Sequence, residues 1–190
     1  MKVYIIRHGE SVTNEEGKWT GWLDVELTAK GISDAEKVKP LLKDIAFDKV
    51  YASDLKRAVK TAQVALPGYD YETSKLLREI DVGTFAGKPL DYYYSLTPEE
   101  QALNLKNAFK DFGGESVDDL DERVQAFLKE LETKDYQNVA LFTHGGWQRS
   151  IFDYIIGYRH KRSNILLSNC AVVSIEFIKG YWRLTGLLNL

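Results

Sequence analysis

Cysteine occurs once in this chain, at Cys170, so no internal disulfide and no cysteine-built zinc site can form, and a reducing compartment is expected. Long apolar runs are missing too. The N-terminal stretch places only four apolar residues, Val3 to Ile6, before Arg7. That is too short for the hydrophobic region of a signal peptide or for a membrane span, and a cytoplasmic location is expected. A basic excess is also lacking. The formal net charge is −3 and there is no long basic stretch, which argues against a polynucleotide as partner. A small anionic substrate stays open, because a pocket can be positive on an acidic protein. Internal repeats, low-complexity tracts and linkers are absent, and there are only three histidines.

What is present is the composition of a globular domain, 44% hydrophobic and 28% charged. A length of 190 residues suits one domain, 1–190, with a core of its own. Val3–Ile6 and Val139–Phe142 read as strands buried on both faces, hence central in a parallel sheet. Lys49–Ala52 is a third strand, and Tyr71–Thr73 fits an edge strand. Helices are predicted from Thr28 to Asp44, from a Ser53 or Asp54 cap to Leu66, from Pro98 to Phe109, from Glu115 to Leu131, and from Trp147 to Ile156. Val172–Phe177 and Trp182–Leu187 flank Lys179-Gly180 as a hairpin. Strands alternating with helices predict a three-layer α/β/α sandwich around a mostly parallel sheet.

Ligands in open α/β sheets bind beyond the carboxyl ends of the strands. Two buried strands here end in the same way, Arg7-His8-Gly9 and Thr143-His144-Gly145. Two of the three histidines therefore stand where a site is expected. Either alone would pass as a core or surface group; the pair, one member preceded by arginine, points to function. Zinc needs three or four ligands, usually with a carboxylate or thiolate, and an adjacent arginine opposes a cation. The same arginine favours an anion, since its fork matches phosphate oxygens. A neutral, oriented histidine can itself attack phosphorus.

The segment Ile6-Arg7-His8-Gly9-Glu10 resembles the signature of the histidine phosphatase superfamily, also called the phosphoglycerate mutase-like family. The resemblance runs on through Asn14, Thr20-Gly21-Trp22, Asp24, Leu27-Thr28 and Gly31. It continues through Ala52 to Ala58, Thr61-Ala62, Leu77-Arg78-Glu79, Gly83 and Gly87, and it closes with Gly114-Glu115-Ser116, Arg123 and Thr143-His144-Gly145. It implies a phosphoglycerate mutase-like fold. It implies His8 as the nucleophile that becomes phosphohistidine, with Arg7, Arg57 and His144 completing the phosphate pocket. Glu79 is implied as the general acid, with Asp81 in reserve. Asn14, Thr20, Gly21 and Gly145 are implied in phosphate or substrate binding. No metal and no cofactor are implied.

The family divides into mutases and phosphatases. Ser11 and Thr20-Gly21-Trp22 with Asp24 are similar to the cofactor-dependent phosphoglycerate mutases. Those carry a longer insertion after the Glu79 region, with paired arginines that grip the substrate. Between Glu79 and Glu115 this chain has Lys88, Lys106 and Lys110 and no arginine, and offers Tyr92-Tyr93-Tyr94 instead. Its length and Gly113-Gly114-Glu115-Ser116 resemble the short broad-specificity phosphatases and α-ribazole phosphatases. The expectation is a phosphomonoesterase for a small phosphorylated metabolite. The alternatives are a phosphoglycerate mutase, a catalytically inactive phosphate-binding module, and a metallohydrolase using His8 and His144. The tyrosines would suit an aromatic or apolar leaving group. Arg159-His160-Lys161-Arg162 is a basic cluster that would collect anions or simply be a solvated loop. Partners beyond the substrate are not called for, neither nucleic acid nor membrane, and a homodimer is left open.

Overall fold

The computed structural model describes residues 1–157 and 165–189, apart from the side chains of Leu105 and Lys106. The basic cluster Arg159-His160-Lys161-Arg162 lies outside the described residues. Six strands form one sheet in the order β3-β2-β4-β1-β5-β6. They are β1 (Lys2–Arg7), β2 (Lys49–Ser53), β3 (Tyr71–Ser74), β4 (Asn138–Thr143), β5 (Val172–Ile178) and β6 (Tyr181–Leu188). The first four pair in parallel. The C-terminal hairpin adds β5 antiparallel to β1, with β6 outside it.

Alternation within each central strand explains the three layers. Val3 and Ile5 of β1 and Val139 and Leu141 of β4 point to one face. There they meet Leu120, Val124, Phe127 and Leu128 of helix α5 (Val117–Glu132) and Trp147 and Ile151 of α6 (Gly145–Ile156). Ile6, Ala140 and Phe142 point to the other face, against Ala35, Val38 and Leu42 of α2 (Ala29–Leu42) and Ala62 and Ala65 of α3 (Lys56–Ala65). Successive strand residues point to opposite sides, so an unbroken apolar run can be satisfied only when both sides are covered. The fold is thus the expected α/β sandwich with a mostly parallel sheet.

Two further helices lie outside the sandwich layers, α1 (Val12–Glu15) and α4 (Pro98–Asn107). Between residues 75 and 112 several 3₁₀ turns accompany a separate cluster of Val82, Phe85 and Phe109, packed with Trp19, Tyr92, Tyr93 and Phe112. That cluster holds the Thr20–Asp24 loop against the sandwich.

The caps show where local sequence decides and where it does not. Thr28 caps α2 as expected, its hydroxyl accepting from Gly31 N at 3.0 Å, worth about 1 kcal/mol. The α3 cap expected from Ser53 or Asp54 is absent. Leu55 occupies the cap position without a side-chain bond, and Asp24, 32 residues upstream, accepts from Lys56 N at 2.8 Å. Asp54 is drawn away by Arg78, which donates to its carboxylate through Nε at 2.7 Å and Nη2 at 2.6 Å. A two-point charge-assisted pair outweighs a single cap bond. No helix among the described residues is long and apolar enough to cross a membrane.

Candidate active site

The parallel pairing of β1 with β4 sets Arg7 opposite Thr143 in register. The next residue on each strand is therefore His8 and His144. Their rings come together at 5.1 Å between centroids, inclined at 60°. Both are almost wholly buried, His8 at 3% exposure and His144 at 0%. His8 N donates to Thr143 O at 2.9 Å, which ties the two strand ends to each other.

The His8 ring is fixed by its own turn. Nδ1 lies 2.6 Å from the carbonyl of Gly9, so that nitrogen carries the hydrogen and Nε2 keeps its lone pair. The turn itself depends on close backbone approach. A methyl on Gly9 would sit 2.3 Å from the carbonyl oxygen of Gly31, at the start of α2. Burial holds the proton affinity of His8 well below the ordinary value of 6.5, reinforced by Arg57 and then Arg7. The same causes, burial first and then Arg57, lower that of His144. Both rings are thus neutral at pH 7, and a neutral imidazole with an open ring nitrogen has the chemistry of a nucleophile.

Arg57, from the first turn of α3, is completely buried. Its Nη1 donates to Leu23 O and its Nη2 to Gly21 O, each at 2.8 Å, leaving Nε without a partner among the described residues. Burial brings its pKa down to about 10, so it remains a cation at neutral pH. Arg7 is similar: Nη1 donates to the carbonyl of Leu167, and Nε has no partner among the described residues. Neither guanidinium has a carboxylate within ion-pair distance among the described residues. Buried cations without counter-charge are costly unless an anion shares their site.

Glu79 completes the ring of groups. Its Oε1 accepts from Ile80 N at 2.9 Å and its Oε2 from Gly146 N at 3.2 Å, at the amino end of α6. A methyl on Gly146 would lie 2.1 Å from Oε1, so a side chain there would displace the Glu79 carboxylate from this position. Asn14 Oδ1 accepts from Ser11 N, from Ser11 Oγ and from Asn169 Nδ2, so the amide nitrogen is left as its donor. Thr20 Oγ1 bonds Thr13 Oγ1 at 2.6 Å.

These groups line one cavity of about 360 Å³. Of the residues singled out from sequence, Arg7, His8, Asn14, Thr20, Gly21, Arg57 and Glu79 border it. His144 does not border it; its fully buried ring lies beside that of His8, 5.1 Å away between centroids. Gly145 is turned to the back of Arg7, where a methyl on it would lie 3.3 Å from Nε, and its neighbour Gly146 borders the cavity instead. Asp81 turns away, accepting from Gly83 N at 3.0 Å. The tyrosines do not border the cavity either. Tyr92 packs edge-on against Phe85 and Tyr94 is 79% exposed. The apolar wall is made by Trp19, Ile80, Val82 and Leu90.

Three polar residues of the wall are not expected from the sequence: Lys18, Arg149 and Asn169. Arg149 has a signal there, since it falls one turn after Gly145 on the same face of α6. Lys18 and Asn169 lie in irregular segments with none. The cavity wall thus carries Arg7, Lys18, Arg57 and Arg149 against the single carboxylate Glu79. On an acidic protein this is a localised anion site. No group of three or more histidine, cysteine, aspartate or glutamate side chains converges as a metal site among the described residues.

The buried histidines make stability depend on pH. Unfolded, each binds a proton near its ordinary 6.5; folded, each does so only at lower pH. The stability they permit is present above 6.5 and is lost as pH falls toward their folded values, at up to about 1.4 kcal/mol per histidine per pH unit. The melting temperature should therefore drop between about pH 7 and about pH 5, and the drop should shrink in a His144→Gln variant. An unchanged slope in that variant would refute this origin.

The sequence profile of the histidine phosphatase superfamily, branch 1, matches residues 3–189. The probable phosphoglycerate mutase GpmB of Salmonella paratyphi A is 31% identical over 195 aligned positions, covering 98% of this chain and 89% of the relative. Among solved structures, the α-ribazole phosphatase of Shigella flexneri superposes with a TM-score of 0.88 at 26% identity, over 98% of this chain and 96% of that one. The phosphoserine phosphatase of Entamoeba histolytica, solved with 3-phosphoglyceric acid, gives 0.86 at 26% identity, over 100% and 97%.

Proposed function

The chain belongs to branch 1 of the histidine phosphatase superfamily, and from that premise we propose that it is a metal-independent phosphomonoesterase acting on a small phosphorylated metabolite. One observation carries the reading: the His8 ring, neutral and held through Nδ1 by Gly9 O at 2.6 Å, stands among the guanidinium groups of Arg7 and Arg57. Nε2 of His8 attacks phosphorus. The P–O bond to the leaving group breaks, and Glu79 gives its proton to the departing oxygen. Water then attacks phosphorus, the P–Nε2 bond to His8 breaks, the water proton passes to the Glu79 carboxylate, and inorganic phosphate leaves with His8 neutral again. Arg7, Arg57 and the donors of His144 and Asn14 stabilise the equatorial oxygens throughout, which is where most catalysis of phosphoryl transfer lies.

Two guanidinium groups supply the charge that a divalent ion provides in other phosphatases, so activity should survive excess chelator. The test is a panel of phosphorylated metabolites assayed in chelator, following phosphate release and the interconversion of 3- and 2-phosphoglycerate. Release from several monoesters with little interconversion is expected. Loss in chelator with recovery on adding zinc or magnesium would overturn the metal-free reading.

A second reading, phosphoglycerate mutase, has its own support. The GpmB relative bears that name, and Lys18 and Arg149 place two more cations on the cavity wall, outside the arginine-free segment after Glu79. Fast interconversion dependent on 2,3-bisphosphoglycerate would favour it.

A further inference from the structure

Glu79 sits in a segment with little regular structure. A 3₁₀ turn covers Lys75–Leu77, and irregular backbone follows to Asp81. Its carbonyls have no strand or helix ladder to satisfy them. Arg123, on α5, does so instead. Nη1 donates to Leu76 O at 3.0 Å and to Arg78 O at 2.8 Å, and Nη2 donates to Glu79 O at 3.1 Å. The remaining two N–H groups go to Glu115, Nε to Oε1 at 3.0 Å and Nη2 to Oε2 at 2.7 Å. A guanidinium has five N–H donors, and all five are used on this segment and the carboxylate that aims them.

Glu115 grips the same segment from the other end. Its Oε2 accepts from Asp81 N at 2.9 Å, and its own N–H donates to Asp81 O at 2.9 Å. Gly114 permits this approach, since a methyl there would meet Asp81 O at 2.3 Å. The ion pair is largely buried, at 12% and 16% side-chain exposure, so solvent screens it little.

We propose that Arg123 and Glu115 form a positioning clamp for the proton donor, holding residues 76–81 so that the Glu79 carboxyl lies against Gly146 N and borders the cavity. The proposal rests on the reading of Glu79 as general acid. Neither clamp residue borders the cavity, so both act through Glu79. A lysine cannot replace Arg123, because an ammonium is a point donor without the planar fork that spans three carbonyls and a carboxylate. The segment has other anchors. Trp147 Nε1 donates to Leu76 O at 3.0 Å and Trp22 Nε1 to Glu79 O at 2.7 Å. Loss of the clamp should therefore loosen the acid without unfolding the protein.

The readout is dependence on the leaving group. A proton donor matters for alkyl phosphates and little for p-nitrophenyl phosphate, whose leaving group departs unprotonated. Arg123→Lys should lower kcat/KM for an alkyl phosphate at least about tenfold, part of the ~10²–10⁴ that a positioned acid supplies, while p-nitrophenyl phosphate changes by less than about threefold. Glu115→Gln should do the same, and it carries the test if Arg123→Lys does not fold. Combined with Glu79→Gln, Arg123→Lys should add almost nothing on the alkyl substrate, since the group it positions is gone. Equal losses on both substrates, or no loss, with Glu79→Gln still selective for the alkyl ester, would overturn the clamp alone. A Glu79→Gln variant that hurts both substrates equally would overturn the acid assignment and the clamp together.

Discussion

His8→Ala is expected to remove turnover and every trace of a covalent phosphoenzyme, a loss on the order of 10⁵-fold or more, as for removal of other enzymatic nucleophiles. The two histidines at the strand ends are near neighbours, with ring centroids 5.1 Å apart, yet their surroundings differ. His8 has a tautomer fixed by Gly9 O, while neither nitrogen of His144 has a hydrogen-bond partner among the described residues. Fixing one nitrogen as donor leaves the other as a directed lone pair, the requirement for in-line attack. His144, fully buried beside His8, is assigned in the proposed mechanism as a donor to a phosphate oxygen. Rapid quench with labelled substrate should give an acid-labile, base-stable label, as expected of a P–N bond, and peptide mapping should locate it on His8. His144→Ala should reduce the label without relocating it. Label on His144 or on a serine such as Ser11 would reverse the assignment.

Arg57→Leu is expected to cost on the order of 10³-fold in kcat/KM, because two functions leave with one side chain. The first is a buried cation on the cavity wall, which in the proposed mechanism stabilises the transferring group. The second is the anchoring of the Thr20–Asp24 loop, whose carbonyls at Gly21 and Leu23 accept from the two Nη atoms. Gly21, with φ of +51°, lies so close to Val82 that a side chain there would meet Val82 Cγ2 at 2.6 Å. The loop is thus pressed between Arg57 and Val82, and loosening one side shifts Thr20 at the cavity wall. Arg57→Lys should fare within about tenfold of Arg57→Leu, since one ammonium cannot serve two carbonyls and a phosphate. Steady-state kinetics and inhibition by vanadate measure both. A lysine variant with near-normal kcat/KM would show that charge alone suffices and that the loop needs no anchor.

The residues that are legible in the sequence and those that are not divide along a physical line. Apolar runs of four residues each, Val3–Ile6 and Val139–Phe142, mark β1 and β4 as buried on both faces, and that alone places His8 and His144 at strand ends. Thr28 announces the start of α2 because its cap bond spans three residues. The Asp24 cap of α3 is invisible, as its acceptor and donor are 32 positions apart. Tyr92 to Tyr94 suggest a substrate wall, but Tyr92 packs edge-on against Phe85, Tyr94 is exposed, and Trp19, Ile80 and Leu90 border the cavity instead. Arg123 and Glu115 are recognisable as parts of a pattern without any sign of their work. The three carbonyls that Arg123 holds lie 44 to 47 positions upstream of it.

By itself the sequence determined the sandwich layers, the two histidine-bearing strand ends, the arginine beside one of them and the order of elements, because these follow from periodicities and turns that act over a few residues. Only the tertiary structure decided that Arg57 and Glu79 face the same cavity, that Lys18, Arg149 and Asn169 join them, and that Asp81 does not. Those outcomes depend on which buried charges and carbonyls find partners once the layers close, and hydrogen bonds between distant segments leave no mark in local sequence.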